Sequence, residues 1–268
     1  MSGVTLVVAH RGSSGVHAEH TLTAYEQAVA EGADALECDI RLTRDGVLVC
    51  VHDRRVDRTS DGRGSVSTLE LAELAELDFA SWKASRSDPL LEASWEEVER
   101  DHGTVLTLER LVRLCLDIER PVELHIETKH PTRYGGLVEK ALVDLLVRYG
   151  LGTPVSRSVS RVTVMSFAAT SLRRIHVMAP EIPTVLLMSR VPMRYRDGSL
   201  PPRIDIAGPS LAVLKTHPGY VERVHERGNR LHVWTVNSNE DIATVLALGV
   251  DAVISNHPKR VLRQLGRA

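Results

Sequence analysis

Two histidines each close an apolar run: His10 ends "VTLVVAH", and His52 ends "VLVCVH" just before Asp53. Between them lie Glu37 and Asp39, two residues apart in "ADALECDIRL". A strand sends alternate side chains to one face, so these two carboxylates point the same way. Glu127 lies in "PVELHIETK", where Glu123, His125, Glu127 and Lys129 share a face. Imidazoles titrate near neutral pH and can serve as the base and the acid of one reaction. Three carboxylates drawn together repel, and some must hold protons unless a cation lies among them. Oxygen donors alone suit a hard divalent cation, Mg²⁺ or Ca²⁺, better than zinc. Arg11 offers a planar fork fitted to a phosphate, and Lys129 a point charge for the same purpose. Each residue also has a plainer reading, as a buried structural histidine or as one half of an ordinary ion pair. Two histidines at matching strand ends, one preceding Arg11 and one preceding Asp53, favour chemistry.

Strands must bring these residues to one place. Short β-branched runs alternate with amphipathic stretches along the chain. "TLTAYEQAVAEG" reads as a helix closed by Gly32, and "VLVCVHD" as a strand paired to "ADALECDIRL" across the "TRDG" turn. Further strands are expected in "PVELHIETK", "SRVTVMSF", "IPTVLLMS", "IDIAG", "NRLHVWTV" and "VDAVISN", and helices in "LTLERLVRLCLDI", "RYGGLVEKALVDLLVRYG", "AATSLRRIHVMAPE", "PGYVERVHERG" and "NEDIATVLALG". Several strands are apolar on both faces, as parallel strands under helices are. About eight such units imply a (β/α)8 TIM barrel, residues 1–268 forming a single domain. An open doubly wound sheet is the alternative, but "HRGSSG" lacks the dinucleotide-binding glycine pattern. Residues 54–103 are polar and too long for an ordinary loop. They are expected to form a small insertion after the strand carrying His52, walling the active site.

The formal charge of −2 gives no electrostatic case for nucleic acid or an anionic membrane. Cys38, Cys50 and Cys115 have no metal-binding spacing and read as buried free thiols of a reducing compartment. No signal-peptide pattern or membrane-length apolar run is present, so a soluble, cytoplasmic protein is expected.

"AHRG", a Glu-x-Thr before a helix, "GADALECDIRLTRDGVLVCVHD", "IETK" and "VWTVN" together resemble the glycerophosphodiester phosphodiesterase family, in its order and across nearly the whole chain. The resemblance implies a metal-dependent barrel that hydrolyses glycerophosphodiesters to sn-glycerol 3-phosphate and an alcohol, with a small insertion after the HD motif. By this likeness His10 and His52 are the acid/base pair, and Glu37, Asp39 and Glu127 hold one divalent cation. Arg11 and Lys129 contact phosphate, Trp234 packs against glycerol, and Glu19 faces the site. The implied mechanism activates the glycerol 2-hydroxyl at the metal and passes through a cyclic phosphate that water opens. Trp234 reads equally well as a core filler, and His125 as a satisfied interior histidine.

Three places depart from the family pattern. Glu-Asn-Thr is Glu19-His20-Thr21, the closing turn is Ser255-Asn256-His257-Pro258 without its carboxylate, and Ala168 stands where an Asp follows Ser-Phe. His20 reads either as a polar group replacing the asparagine or as a helix-start residue, the second being favoured. A lysophospholipase D is the main alternative, needing an apolar ledge within Leu69–Trp95, where Leu74, Leu77, Phe79 and Trp82 are available or form a core of their own. A non-catalytic barrel binding a phosphorylated ligand, or a sugar-phosphate isomerase, would have less use for these residues.

Overall fold

The computed structural model describes residues 4–84, 103–133 and 135–268. In chain order its elements are β1 Leu6–His10, α1 Leu22–Ala30, β2 Ala35–Leu42, β3 Leu48–Cys50, α2 Leu71–Ala75, α3 Ser81–Ala84, α4 Leu108–Asp117, β4 Glu123–Thr128, α5 Leu137–Arg148 and β5 Val162–Ser166. There follow α6 Ala169–Met178, β6 Thr184–Met188, β7 Ile206–Pro209, α7 Leu211–Thr216, α8 Tyr220–Glu226, β8 Arg230–Val233, α9 Asn239–Ala247, β9 Ala252–Ser255 and α10 Pro258–Gln264. Eight parallel strands run β1-β9-β8-β7-β6-β5-β4-β2, and β1 pairs with β2 to close the barrel.

Local chemistry sets these elements. Val7, Val8 and Ala9 of β1 are fully buried, one face inside the barrel and the other under helices. The Thr21 hydroxyl caps α1 by accepting from the Ala24 amide at 3.2 Å. In α4, Leu108, Leu111, Val112 and Cys115 recur at helical spacing and are buried. The connection from β6 to β7 carries only a 3₁₀ turn, Met193–Tyr195, because Pro192, Pro201 and Pro202 interrupt any helix there.

β3 pairs antiparallel with β2, Ile40 opposite Cys50, and stands outside the barrel wall. The strand stops at Cys50, so His52 lies in the turn beyond it rather than on the strand itself. Residues beyond that turn build a small core of their own, in which Val56, Val66, Leu74 and Phe79 pack on Val49, Val51 and Val105. Leu77 packs against that cluster, and the Trp82 indole donates to the Phe79 carbonyl at 3.0 Å. The apolar side chains expected as a lipid ledge are thus turned inward on one another. Trp95, the end of that expected ledge, lies outside the described residues.

Inside the barrel, Val8, Ala35, Met165, Val185, Leu187, Ile206, Ala252 and Ile254 pack together. His125 is buried in the same interior and stacks on His232, ring centroids 5.4 Å apart and planes 7° apart. Its Nε2 lies 3.3 Å from Glu123, but its Nδ1 has no hydrogen-bond partner among the described residues, so it is only half satisfied.

Gly12 shows how tightly the first loop sits. It takes φ +79°, and a Cβ there would lie 2.6 Å from the Ala24 carbonyl carbon and oxygen. Gly12→Ala combines a left-handed backbone with overpacking, together about 2–5 kcal/mol. For a chain of this length calorimetry is expected to show a Tm lower by about 5–15 °C. An unchanged Tm would contradict this packing.

Candidate active site

Register brings the site together before any side chain is considered. β1 sets His10 beside Glu37, and β2 sets Asp39 beside Glu127. His10 and Glu127 stand at the C-terminal ends of β1 and β4, and the pairing sets Glu37 and Asp39 of the longer β2 level with them, at the end where such barrels carry their active sites. There His10, Arg11, Glu37, His52, Glu127, Lys129 and Trp234 line one cavity of about 470 Å³, with Met165, Phe167, Leu187 and Ile254 as its apolar wall. Asp39 lies beneath them, fully buried.

One ligand atom from each of Glu37, Asp39 and Glu127 lies within 4.8 Å of the others. Opposite oxygens around a Mg²⁺ or Ca²⁺ ion are about 4–5 Å apart, so the three carboxylates can share one cation. Cationic side chains crowd the cluster. Arg11 Nε is 2.9 Å from Asp39 Oδ2, and Lys129 Nζ is 3.1 Å from Asp39 Oδ1 and 2.8 Å from Glu127. Asp39 Oδ1 nevertheless receives no well-directed hydrogen bond among the described residues and is fully enclosed. Such an oxygen fits a cation.

The electrostatics follow from this crowding. Burial, then Asp39, pushes Glu37 well above the usual carboxylate range, and the same two causes raise Glu127 to about 8. Burial opposes ionisation of Asp39 too, but Arg11, the His20 hydrogen bond and Lys129 outweigh it and hold that carboxyl well below its usual range.

The two imidazoles are held differently. His10 donates Nδ1–H to the Asn256 side-chain carbonyl at 2.6 Å, leaving the Nε2 lone pair free of that bond. Burial and then Arg11 hold its pKa at about 3. His52 Nδ1 is 2.6 Å from the Asp53 carboxylate, and Arg41 donates twice to the His52 carbonyl, at 3.0 and 2.7 Å. Burial lowers the His52 pKa as well, against the pull of Asp39 and Asp53.

Several contributors were not visible in the sequence. His20 is no mere helix-start residue: its Nε2–H donates to Asp39 at 3.0 Å, and its Nδ1 lies 2.8 Å from the Tyr25 hydroxyl, which donates to the Glu37 carbonyl. Asn256, noted only as a departure, is the partner of His10. Glu19 is absent from the cavity lining, since both its oxygens are taken, by Arg11 at 3.0 Å and by Arg58 at 2.9 and 2.7 Å. Arg58 also donates to Asp53 at 2.6 Å, completing a chain Arg11–Glu19–Arg58–Asp53–His52. Trp234 lies just past β8, with its indole donating to the Gly208 carbonyl at 2.7 Å and Phe167 edge-on at 5.4 Å. Arg58→Gln breaks the chain at a part-exposed link worth about 1 kcal/mol, and is expected to lower kcat/KM about fivefold with little change in Tm. Unaltered kinetics would show the chain to be incidental.

The model of the Glycerophosphoryl diester phosphodiesterase family matches residues 10–260. The chain belongs to that family. The expected enzyme class, a phosphoric diester hydrolase, follows from this membership. A probable glycerophosphodiester phosphodiesterase 1 of Mycobacterium tuberculosis is 47% identical over 274 residues, covering 100% of this chain and 96% of that protein. A glycerophosphodiester phosphodiesterase of Bacillus subtilis is 32% identical over 257 residues, covering 94% and 84% respectively. Among solved structures, an Oleispira antarctica phosphodiesterase in complex with the product sn-glycerol-3-phosphate superposes with a TM-score of 0.82 at 24% identity, covering 97% of this chain and 96% of that one. That likeness bears on the fold, and it agrees with the closed barrel of this glycerophosphoryl diester phosphodiesterase family member. No helix among the described residues is long and apolar enough to cross a membrane.

Proposed function

We propose that the protein hydrolyses glycerophosphodiesters to sn-glycerol 3-phosphate and an alcohol, using His10 and His52 as its acid/base pair and one divalent cation, Mg²⁺ or Ca²⁺, on Glu37, Asp39 and Glu127. The observation that carries this reading is the meeting of two differently held imidazoles, a carboxylate triad and two cationic side chains at one cavity. The bound cation would supply charge stabilisation at the phosphoryl oxygens. Arg11 and Lys129 face the same charge, and their contacts with Asp39 keep them in place. Trp234 and Phe167 offer the glycerol carbons an apolar surface. The known product complex of the Oleispira antarctica phosphodiesterase supports glycerol 3-phosphate as the retained product.

The histidines divide the proton transfers by their partners. Asn256 is neutral and leaves His10 an uncharged base, suited to take the proton of the glycerol 2-hydroxyl as its oxygen bonds to phosphorus. Asp53 carries charge and offsets part of the burial that disfavours the His52 imidazolium, a support His10 lacks, which suits His52 to protonate the alcohol oxygen as its bond to phosphorus breaks. Water then opens the cyclic phosphate with both roles reversed. We read residues 1–268 as one barrel unit, with 54–103 inserted beside the mouth. Buried, unpaired Cys38, Cys50 and Cys115 support a reducing, cytoplasmic setting.

Cleavage of a lysophospholipid is the second reading, favoured by the apolar wall of Met165, Phe167, Leu187 and Ile254 rather than by the residues after His52. A panel of glycerophosphocholine, glycerophosphoethanolamine, glycerophosphoinositol and lysophosphatidylcholine separates the two. Turnover of the lysolipid alone would replace the first reading by the second. Turnover of none by a folded, cation-supplied protein would leave the non-catalytic barrel.

A further inference from the structure

A second, small pocket opens beside the catalytic cavity at the same end of the barrel. Arg41, Arg54, Lys129 and Arg133 line it, and among the described lining residues there is no Asp or Glu. Lys129 borders both cavities. Arg41 is fixed at this wall by its double donation to the His52 carbonyl. A guanidinium held by a backbone carbonyl keeps its full charge and has little rotamer freedom left to lose when a ligand arrives. Thr132 lines the same pocket, and its hydroxyl is buried without a hydrogen-bond partner among the described residues. A buried hydroxyl left in this way calls for a partner from outside. Concave, basic and carrying an unmet hydroxyl, the pocket suits an anion with oxygen acceptors.

Its position says which anion. The pocket is built from the end of β2, the residues after β3 and the β4–α5 connection. Strand order sets β2 and β4 across the barrel from β7 and β8, and Trp234 follows β8. With glycerol on the Trp234 side, the leaving alcohol extends toward the basic pocket. We propose that this pocket binds a second anionic group, a carboxylate or a phosphate, carried by the leaving alcohol of the diester. The proposal rests on the hydrolase reading of the neighbouring cavity.

Glycerophosphoserine and glycerophosphoethanolamine differ by one carboxylate and provide the test. Their kcat/KM values would be compared for the cation-supplied wild-type chain and for the double variant Arg54→Gln, Arg133→Gln. Both arginines are exposed, whereas Arg41 and Lys129 are left alone because they touch the His52 carbonyl and the carboxylates. The wild type is expected to favour the serine ester by about tenfold, and the variant to bring that ratio close to one. A wild-type ratio near one, or a ratio the variant leaves unaltered, overturns the proposal. Loss of inhibition by inorganic phosphate with an unaltered ratio assigns the pocket to a free anion and likewise overturns it. A folded wild type that cleaves neither ester overturns the hydrolase reading, and the proposal falls with it.

Discussion

His10→Ala is expected to lower kcat on glycerophosphocholine by about 10²–10⁴-fold, and His52→Ala by a similar factor, with thermal stability close to wild type. Each removes a proton carrier that no neighbour replaces. Asn256, the hydrogen-bond partner of His10, is an amide and cannot take its proton, and the hydroxyl of Tyr25 is spent on His20 and the Glu37 carbonyl. Because both histidines act within one displacement, the double variant is expected to fall little further than either single one. Steady-state rates of the three variants check this directly. A His10→Ala protein turning over at near-normal rate would remove the acid/base assignment, and strictly additive losses would place the two residues in separate steps.

The second large effect concerns the cation. Exhaustive chelation is expected to abolish turnover, and re-addition of Mg²⁺ or Ca²⁺ to restore it. Calorimetry gives a readout independent of activity. A cation at a hundredfold excess over its Kd stabilises the fold by about 2.7 kcal/mol, a rise in Tm of about 5–10 °C for a chain of this size. The sign of the pH dependence follows from Glu127. Its pKa is raised on folding from 4.5 to about 8, so the cation-free chain binds the extra proton only when folded between those values. Stability contributed by that protonated carboxyl is full below about pH 4.5 and is lost as pH rises through about 8. A bound cation replaces the proton, so its stabilising effect is expected to grow with pH over the same window, with protons released on binding. Asp39→Asn is expected to lose the Tm response. Turnover and Tm both indifferent to chelator would remove the cation from the carboxylate triad.

Much of this site was legible from the chain, for a definite reason. His10, Glu37, Asp39 and Glu127 lie on regular parallel strands, where alternation and strand ends convert position in sequence into position in space. His52 was legible from the apolar run it closes and from its neighbour Asp53, but not in its placement, since it hangs beyond an antiparallel strand outside the wall. The partners that orient the site were not legible. His20 has the form of a residue before a helix, yet its backbone at φ 63° turns the ring back toward Asp39. Asn256 reaches His10 across a separation of 246 residues, which only barrel closure makes short. Arg58 sits in irregular chain, where no periodicity predicts direction. The apolar side chains of Leu74 and Phe79 were ambiguous for a like reason: a ledge and a miniature core have the same composition.

The excursion of β3 from the barrel wall gives the two imidazoles separate dependences. His10 is anchored by the wall itself, together with the carboxylates. His52 is carried on an outlying hairpin braced by Arg41 and by the small core around Leu74. Damage confined to that hairpin would therefore uncouple capture from turnover, yielding a protein that still loads its ion and retains its ester uncut. On the proposed reading, His10 and the carboxylates would depend on the barrel wall, and His52 on a separate piece of architecture.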